Sequence, residues 1–277
     1  MTLSLHFFNV GQGDSLGGIL PSGGNTFLVD VKDAEIVARY FRNRNYLNFI
    51  VITHSDIDHM AGLYDLMENY HFKAGLIYFN PDRGPGAPDS EKYRLIMRHL
   101  DVWAKDETAK PAPIHMGTGL DDAGLFKVLH PTYSFLLKMT SLKKWNEASV
   151  VIQVRYQGKN ILLCGDIEEE GITELISNNK GKLQCDVLKV PHHGSYPGNG
   201  TFEKLVEETS PTYAVISAGL GNPYGHPHRE SVRCLRSKTI EILHTQDTND
   251  EDITSILVVV GATGLTARCN RCKDPIA

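Results

Sequence analysis

The chain has 277 residues, 41% of them hydrophobic and 22% charged, with a formal net charge of −5. That is the composition of a folded globular protein, not of a disordered, collagenous or membrane-embedded one. The negative balance excludes nucleic-acid binding by global basicity, although divalent cations bound among carboxylates would reverse the charge locally.

No apolar run reaches the length of a bilayer span, and the first residues lack the basic start and apolar stretch of a signal peptide. Five scattered cysteines, an odd number, fit a reducing compartment, so a cytoplasmic protein without membrane association is expected.

Residues 3–10 alternate as a strand and run into Gly11-Gln-Gly13-Asp14-Ser15, where two glycines permit a tight turn and Asp14 can bond its backbone. Short strands follow around 18–20 and over 26–31, then a helix over 33–45 with Arg39, Arg42 and Arg44 on a solvated side. An apolar, β-branched run at 47–53 reads as a buried strand. Four metal-capable side chains, His54, Asp56, Asp58 and His59, fall directly after it. Their carboxylates repel each other and are poorly solvated at the end of a buried strand. One or two divalent cations remove that cost, and mixed nitrogen and oxygen donors suit Zn²⁺ or Mn²⁺. A helix N-cap would account for one such residue, not four.

Residues 60–67 have helical spacing with Leu63, Leu66 and Met67 inward, and 90–104 read as a further helix. Between them, the Pro/Gly-rich loop at 80–90 with its cation Arg83 is either the rim of a cleft or an idle surface loop. Residues 105–123 read as irregular.

In the second half, strands are predicted at 126–130, 150–156, 161–164, 186–191, 213–217, 241–244 and 253–260. A polar helical stretch follows Pro131, and another helix covers about 200–209. Chemistry-bearing residues again follow strands. Gly165-Asp166 ends one, and His192-His193-Gly194-Ser195 ends another. Tyr224-Gly-His226-Pro-His228 occupies a Gly/Pro-rich loop. Periodicity alone gives α/β or α+β, as one domain over 1–265 with a short basic tail at 266–277. The tail's Cys269 and Cys272 make at most half of a zinc site, because a structural zinc needs four ligands.

His54-x-Asp56-x-Asp58-His59 resembles the His-x-His-x-Asp-His signature of the metallo-β-lactamase superfamily, with Asp at the second His. That variant is similar to the metallo-β-lactamase-like domains of ComEC-type DNA-uptake proteins and their free-standing relatives. So are Val10-Gly-Gln-Gly-Asp14-Ser15, His192-His193-Gly194-Ser195 and Tyr224-Gly-His226-Pro. The resemblance runs from Val10 to His228 and implies a four-layer αβ/βα sandwich.

It also implies two divalent cations, Zn²⁺ or Mn²⁺, held by His54, Asp56, Asp58, His59, Asp166 and one of His192 and His193, with Asp166 shared. The other histidine of that pair, Asp14, Asn146 and Ser195 would hold ligands from behind or touch substrate, and Asp30 would support the metal loop. Asp58, Asp166 and His226 would carry catalysis. The superfamily's third His on the first metal has no counterpart at the usual distance. Asn146, with Ser149 after it, falls nearest, and His130 lies further upstream, so both a one-metal and a two-metal enzyme stay open.

The activity implied is a metal-dependent hydrolase, a phosphodiesterase or nuclease cleaving single-stranded DNA or RNA through a metal-bound hydroxide. Its partner would be nucleic acid or another phosphodiester. A metallohydrolase of a small ester (lactone, thioester or small phosphodiester) and a non-catalytic binding module are the alternatives.

Overall fold

In the computed structural model, which describes residues 1–21, 24–80, 91–245 and 254–269, alternating strands build two sheets. The first half of the chain supplies β1 (Leu3–Phe8), β2 (Ser15–Ile19), β3 (Thr26–Val31), α1 (Ala34–Tyr40) and β4 (Tyr46–Val51). It continues with α2 (Ile57–Met60), α3 (Leu63–Glu68), β5 (Lys73–Tyr78), α4 (Glu91–Lys105) and β6 (Lys110–Ala112). The second half supplies β7 (Phe126–His130), α5 (Tyr133–Leu142), β8 (Val151–Tyr156), β9 (Lys159–Leu163), α6 (Glu169–Asn178) and β10 (Val187–Lys189). Then come α7 (Thr201–Thr209), β11 (Tyr213–Ile216), α8 (Arg229–Ser237), β12 (Glu241–His244), β13 (Thr254–Gly261) and β14 (Gly264–Cys269). The last two strands return to the first sheet, whose order is β14-β13-β1-β2-β3-β4-β5-β6, while the second runs β12-β11-β10-β9-β8-β7.

The period of two sorts each strand's side chains to two faces. Phe27, Val29, Phe49 and Val51 of the first sheet meet Val128, Ile152, Val154, Leu163 and Val187 of the second. Their neighbours Leu28 and Ile50 face the other way, onto Val37, Leu66, Ile96 and Trp103 of α1, α3 and α4. On the second sheet, Leu162 and Leu188 pack on Ile172 and Leu175 of α6. Ala214 and Ile216 pack on Phe202 of α7 and on Val232 and Leu235 of α8. Helices, sheet, sheet, helices: the expected four-layer sandwich is the fold.

Strands β3 to β6 run parallel, as do β9 to β12. The motifs after β4, β9 and β10 therefore lie at the carboxyl ends of parallel strands, where open α/β sheets bind ligands.

Several elements depart from the pattern reading. β5 carries Gly75 in its middle, and β6 is three residues of Lys-Pro-Ala inside the segment expected to be irregular; neither shows the β-branched run by which a strand is read. The helix expected over 33–45 ends at Tyr40, and the stretch at 60–67 falls into α2 and α3. The expected tail begins as a strand, because Leu265, Ala267 and Cys269 of β14 alternate onto the core between the sheets. Cys269 is disulfide-bonded, so its sulfur is not offered to a metal. Arg83 and Cys272 lie outside the described residues. Among the described residues no helix is long and apolar enough to cross a membrane.

Phe49 joins the two sheets, its ring centroid 5.8 Å from Phe27 and 5.1 Å from Phe126. Phe49→Ala should lower unfolding free energy by about 3–5 kcal/mol. Urea denaturation of the metal-free protein reads this as a lower midpoint with an unchanged slope.

Candidate metal centre

Backbone contacts between the sheets bring the strand ends together. Val150 N–H donates to Thr53 O at 3.0 Å, joining the residue before β8 to the exit of β4, and His192 N–H donates to Gly165 O at 3.1 Å. The turn between β1 and β2 closes over the same place. Asp14 N–H donates to Asp58 O at 3.0 Å, and a Cβ on Gly13 would stand 2.3 Å from that oxygen, so only glycine fits there. His192 and His193 take left-handed backbone conformations, with φ 47° and 54°, and Gly194 follows at φ 85°. Two consecutive non-glycine residues in that region cost on the order of 1–2 kcal/mol each. Such strain persists where the surroundings hold it, and here it aims both imidazoles inward.

Four side chains form a tight cage. His193 Nε2 lies 3.2 Å from Asp58 Oδ2 and 3.2 Å from Asp166 Oδ2, and His59 Nε2 lies 3.2 Å from the same Asp166 oxygen. The ligand atoms of Asp58, His59, Asp166 and His193 all fall within 4.8 Å of one another. Tetrahedral donors about 2.0–2.2 Å from a zinc-like ion are separated by about 3.3–3.6 Å, close to these spacings. A second, looser set surrounds the same oxygen. His54 Nε2 is 4.0 Å from it and 3.6 Å from Asp56 Oδ2, and His192 Nε2 is 3.9 Å from it. Asp56 stands at the N-cap position of α2 without capping it, so helix termination does not use its carboxylate.

The other ring nitrogens are tied back. His59 Nδ1 is 2.8 Å from Asp30 Oδ2, and His193 Nδ1–H donates to Ser217 O at 2.7 Å. His192 Nδ1 is 2.9 Å from Glu168 Oε1, and His54 Nδ1 is 3.2 Å from Thr53 Oγ1. Asp30 is fixed in turn by Thr53, whose N–H donates to Oδ1 at 2.8 Å and whose hydroxyl donates to Oδ2 at 2.8 Å. A backing acceptor on Nδ1 leaves Nε2 as the ligating atom. All four histidines therefore present Nε2 toward one carboxylate.

Nε2 of His54, His59 and His193 and Oδ1 of Asp166 are buried and have no hydrogen-bond partner among the described residues. Orphaned buried polar atoms at this density are costly, and a divalent cation would satisfy them together. The electrostatics agree. Burial depresses His193, but the facing carboxylates of Asp166, Asp58 and Asp14 outweigh it and raise the imidazole to about 10. His59 is raised in the same way by Asp166 and Asp30 against burial. Burial pushes Asp166 and Asp58 up, yet these imidazoles hold both below the usual carboxylate range. The cluster demands positive charge, supplied by protons or, in competition with them, by metal.

The remaining expected residues have distinct places. Asp14 lies behind the cage, 3.8 Å from His59 Nδ1 and 3.9 Å from His193 Nδ1, and is ion-paired to Lys189. Asn146 is not among the converging atoms; its side chain bonds Glu168, which holds His192. Ser195 donates its N–H to His192 O at 2.8 Å, closing the turn through its backbone. His130 has both nitrogens engaged away from the centre, with Glu174 at 2.6 Å and Glu147 O at 2.7 Å, so it does not replace the absent third histidine. His226 lies over His192, ring centroids 5.3 Å apart, and burial with the neighbouring His192 and His228 holds it near 4.

Sequence reasoning missed Thr53, Glu168 and Lys189. Thr53 and Glu168 adjoin motif residues, so adjacency was their one signal. Lys189 sits inside an apolar strand yet is fully buried, and a lysine in such a strand was the sign of a buried partner.

Two helix-flanked sheets with a His/Asp cage at their shared edge define a metallohydrolase-type fold. Residues 23–216 match the family model of the metallo-beta-lactamase superfamily, and the chain belongs to that superfamily. ComE operon protein 3 of Bacillus subtilis (strain 168) is 30% identical over 200 residues, covering 72% of this chain and 23% of that protein. Recombination protein 2 of Haemophilus influenzae (strain ATCC 51907 / DSM 11121 / KW20 / Rd) is 26% identical over 236 residues, covering 82% of this chain and 26% of that protein. The chain thus spans about a quarter of the length of these relatives. Among solved structures, a diphosphatase from the PhnP family superposes with a TM-score of 0.52 at 13% identity. The match covers 97% of this chain and 99% of that one, a likeness of fold.

Asp30→Asn, which removes the charge behind His59 while keeping its shape, should weaken metal binding about 10–100-fold. Ser195→Ala, which leaves the turn's backbone bond in place, should leave it unchanged. Competition with a chromogenic chelator measures both.

Proposed function

We propose that the protein is a metal-dependent phosphodiesterase acting on single-stranded nucleic acid. The observation that carries the reading is the convergence of four imidazole Nε2 atoms on Asp166, with the Asp58 carboxylate beside His193 and the Asp56 carboxylate beside His54. Hydrolase chemistry is the superfamily's, and the two relatives named for a competence-type operon and for recombination favour a nucleic-acid substrate.

Asp58, His59, Asp166 and His193 would hold one cation. His54, Asp56, Asp166 and His192 would hold a second, whose looser and more oxygen-rich set suits Mn²⁺ as well as Zn²⁺. Bound there, divalent cations would supply Lewis acidity toward a phosphoryl oxygen and a water of pKa lowered to about 7.

The chain's own groups do the rest. The Asp56 and Asp58 side chains are 32% and 28% exposed, whereas those of His54, His59 and Asp166 are at most 3%. Substrate and water therefore reach the cage past these two carboxylates, and Asp58 is placed to orient the attacking water and accept its proton. His226 is neutral at pH 7, so it serves as a hydrogen-bond donor to the leaving or non-bridging oxygen, not as an imidazolium acid. Donors positioned where charge develops lower the barrier.

Metal-stripped protein, with Mn²⁺ or Zn²⁺ restored, should cleave labelled single-stranded DNA or RNA. His59→Ala should lose at least about 10³-fold with its circular dichroism unchanged, and His226→Ala about 10²-fold with metal content unchanged. Stoichiometric metal with no oligonucleotide cleavage, but turnover of a lactone or thioester, would replace this reading with the small-ester one.

A further inference from the structure

Beside the metal centre lies a cleft of about 300 Å³ lined by Lys143, Lys144, Trp145, Asn146, Glu147 and Glu168. It is joined to the centre through one side chain. Glu168 forms its wall and also holds His192 Nδ1 at 2.9 Å, while His192 Nε2 is 3.9 Å from Asp166. Anything seated in the cleft is one imidazole away from the reacting position.

The lining has the three kinds of group that a nucleotide uses. Trp145 offers an indole face for base stacking, which tolerates every base. The Asn146 side chain offers amide donors and an acceptor to a base edge. Lys143 and Lys144 offer cations to the backbone. Lys144 is already ion-paired with Glu170, whereas Lys143 has no ion pair among the described residues. Lys143 caps α5 in the left-handed conformation, φ 58° and ψ 35°, where glycine is the usual occupant.

We infer that this cleft binds a nucleotide of the single strand adjacent to the one being cleaved, with Trp145 stacked on its base and Lys143 on its phosphate. The inference rests on the phosphodiesterase reading for what lies next door, but its test does not require turnover. The chain has two tryptophans, and Trp103 is fully buried, so ligand-dependent quenching of indole fluorescence reports Trp145.

Titration of the chelator-treated protein with a short oligothymidylate should quench that emission saturably, and Trp145→Phe should abolish the change. Trp145→Ala should weaken binding, read by fluorescence anisotropy of a labelled strand, about ten- to a hundredfold. Lys143→Ala should reduce the salt slope of log K by about 0.7. Circular dichroism and metal stoichiometry should be the same in all three variants, which excludes a folding defect.

Unquenched emission alongside intact oligonucleotide cleavage overturns the cleft assignment and leaves the nuclease reading standing. Saturable quenching without cleavage under any metal leaves the cleft standing and removes the nuclease reading. Thymidine monophosphate binding as tightly as the oligomer overturns the assignment to a strand.

Discussion

Asp166 carries the constraint on which the rest of the site depends. A buried carboxylate faced by four imidazole nitrogens, with the Asp58 carboxylate in the same cluster, is tolerable only where positive charge is shared among them. The fold meets this requirement by geometry. Asp30 lies near the end of β3 and Thr53 follows β4 in the first sheet, Asp166 and His193 follow strands of the second, and Ser217 follows β11. The centre is the seam between the sheets, so its ligands cannot be assembled by either half alone. The strained His192-His193-Gly194 turn belongs to the same logic. A relaxed turn would carry the imidazoles away from the seam, and Pro227 packs so close to Gly194 that a Cβ there would lie 2.6 Å away.

The candidate ligands stood out in the sequence because their density after a strand has no cheap structural explanation. The order of the motifs along the chain made the fold legible as well. Those signals are local. The supports are not: Asp30 meets His59 across 29 residues, and Asp14 meets Lys189 across 175. No spacing rule announces such a pair. A lysine within an apolar strand signals a buried partner without saying which carboxylate it is. The choice between His192 and His193 turned on backbone conformation. With φ near 50° at both residues, the pair points its rings to different neighbours, His193 into the tight cage and His192 toward Glu168 and the looser set. The overlooked strands fail for the opposite reason. β6 and β14 are edge strands held by pairing to β5 and β13, and little in their own composition demands it.

The absence of a third histidine on the looser set gains a physical account. Asn146 does not fill the place of a ligand; it belongs to a chain of contacts running Asn146, Glu168, His192. His192 belongs to that looser set, and the Glu168 carboxylate behind it raises its basicity against the effect of burial. The centre is asymmetric, with one cage at tetrahedral spacing and one open set wider by about half an ångström or more. An open set has room for additional ligands from solvent or substrate, which a closed tetrahedral cage lacks.

The net charge of −5 sits awkwardly with a polyanionic substrate until the charges are placed. Asp14 and Lys189 neutralise each other beneath the cage, and Asp30 is spent on His59. The carboxylates that remain, Asp56, Asp58 and Asp166, are those facing the cation positions, where two divalent ions would turn three negative charges into a net positive centre. Long-range attraction is therefore weak and local attraction strong. On the proposed phosphodiesterase reading, a substrate would be selected by the fit of one phosphodiester at this centre, with neighbouring groups contributing at short range, and its binding would fall with salt less steeply than that of a broadly basic protein.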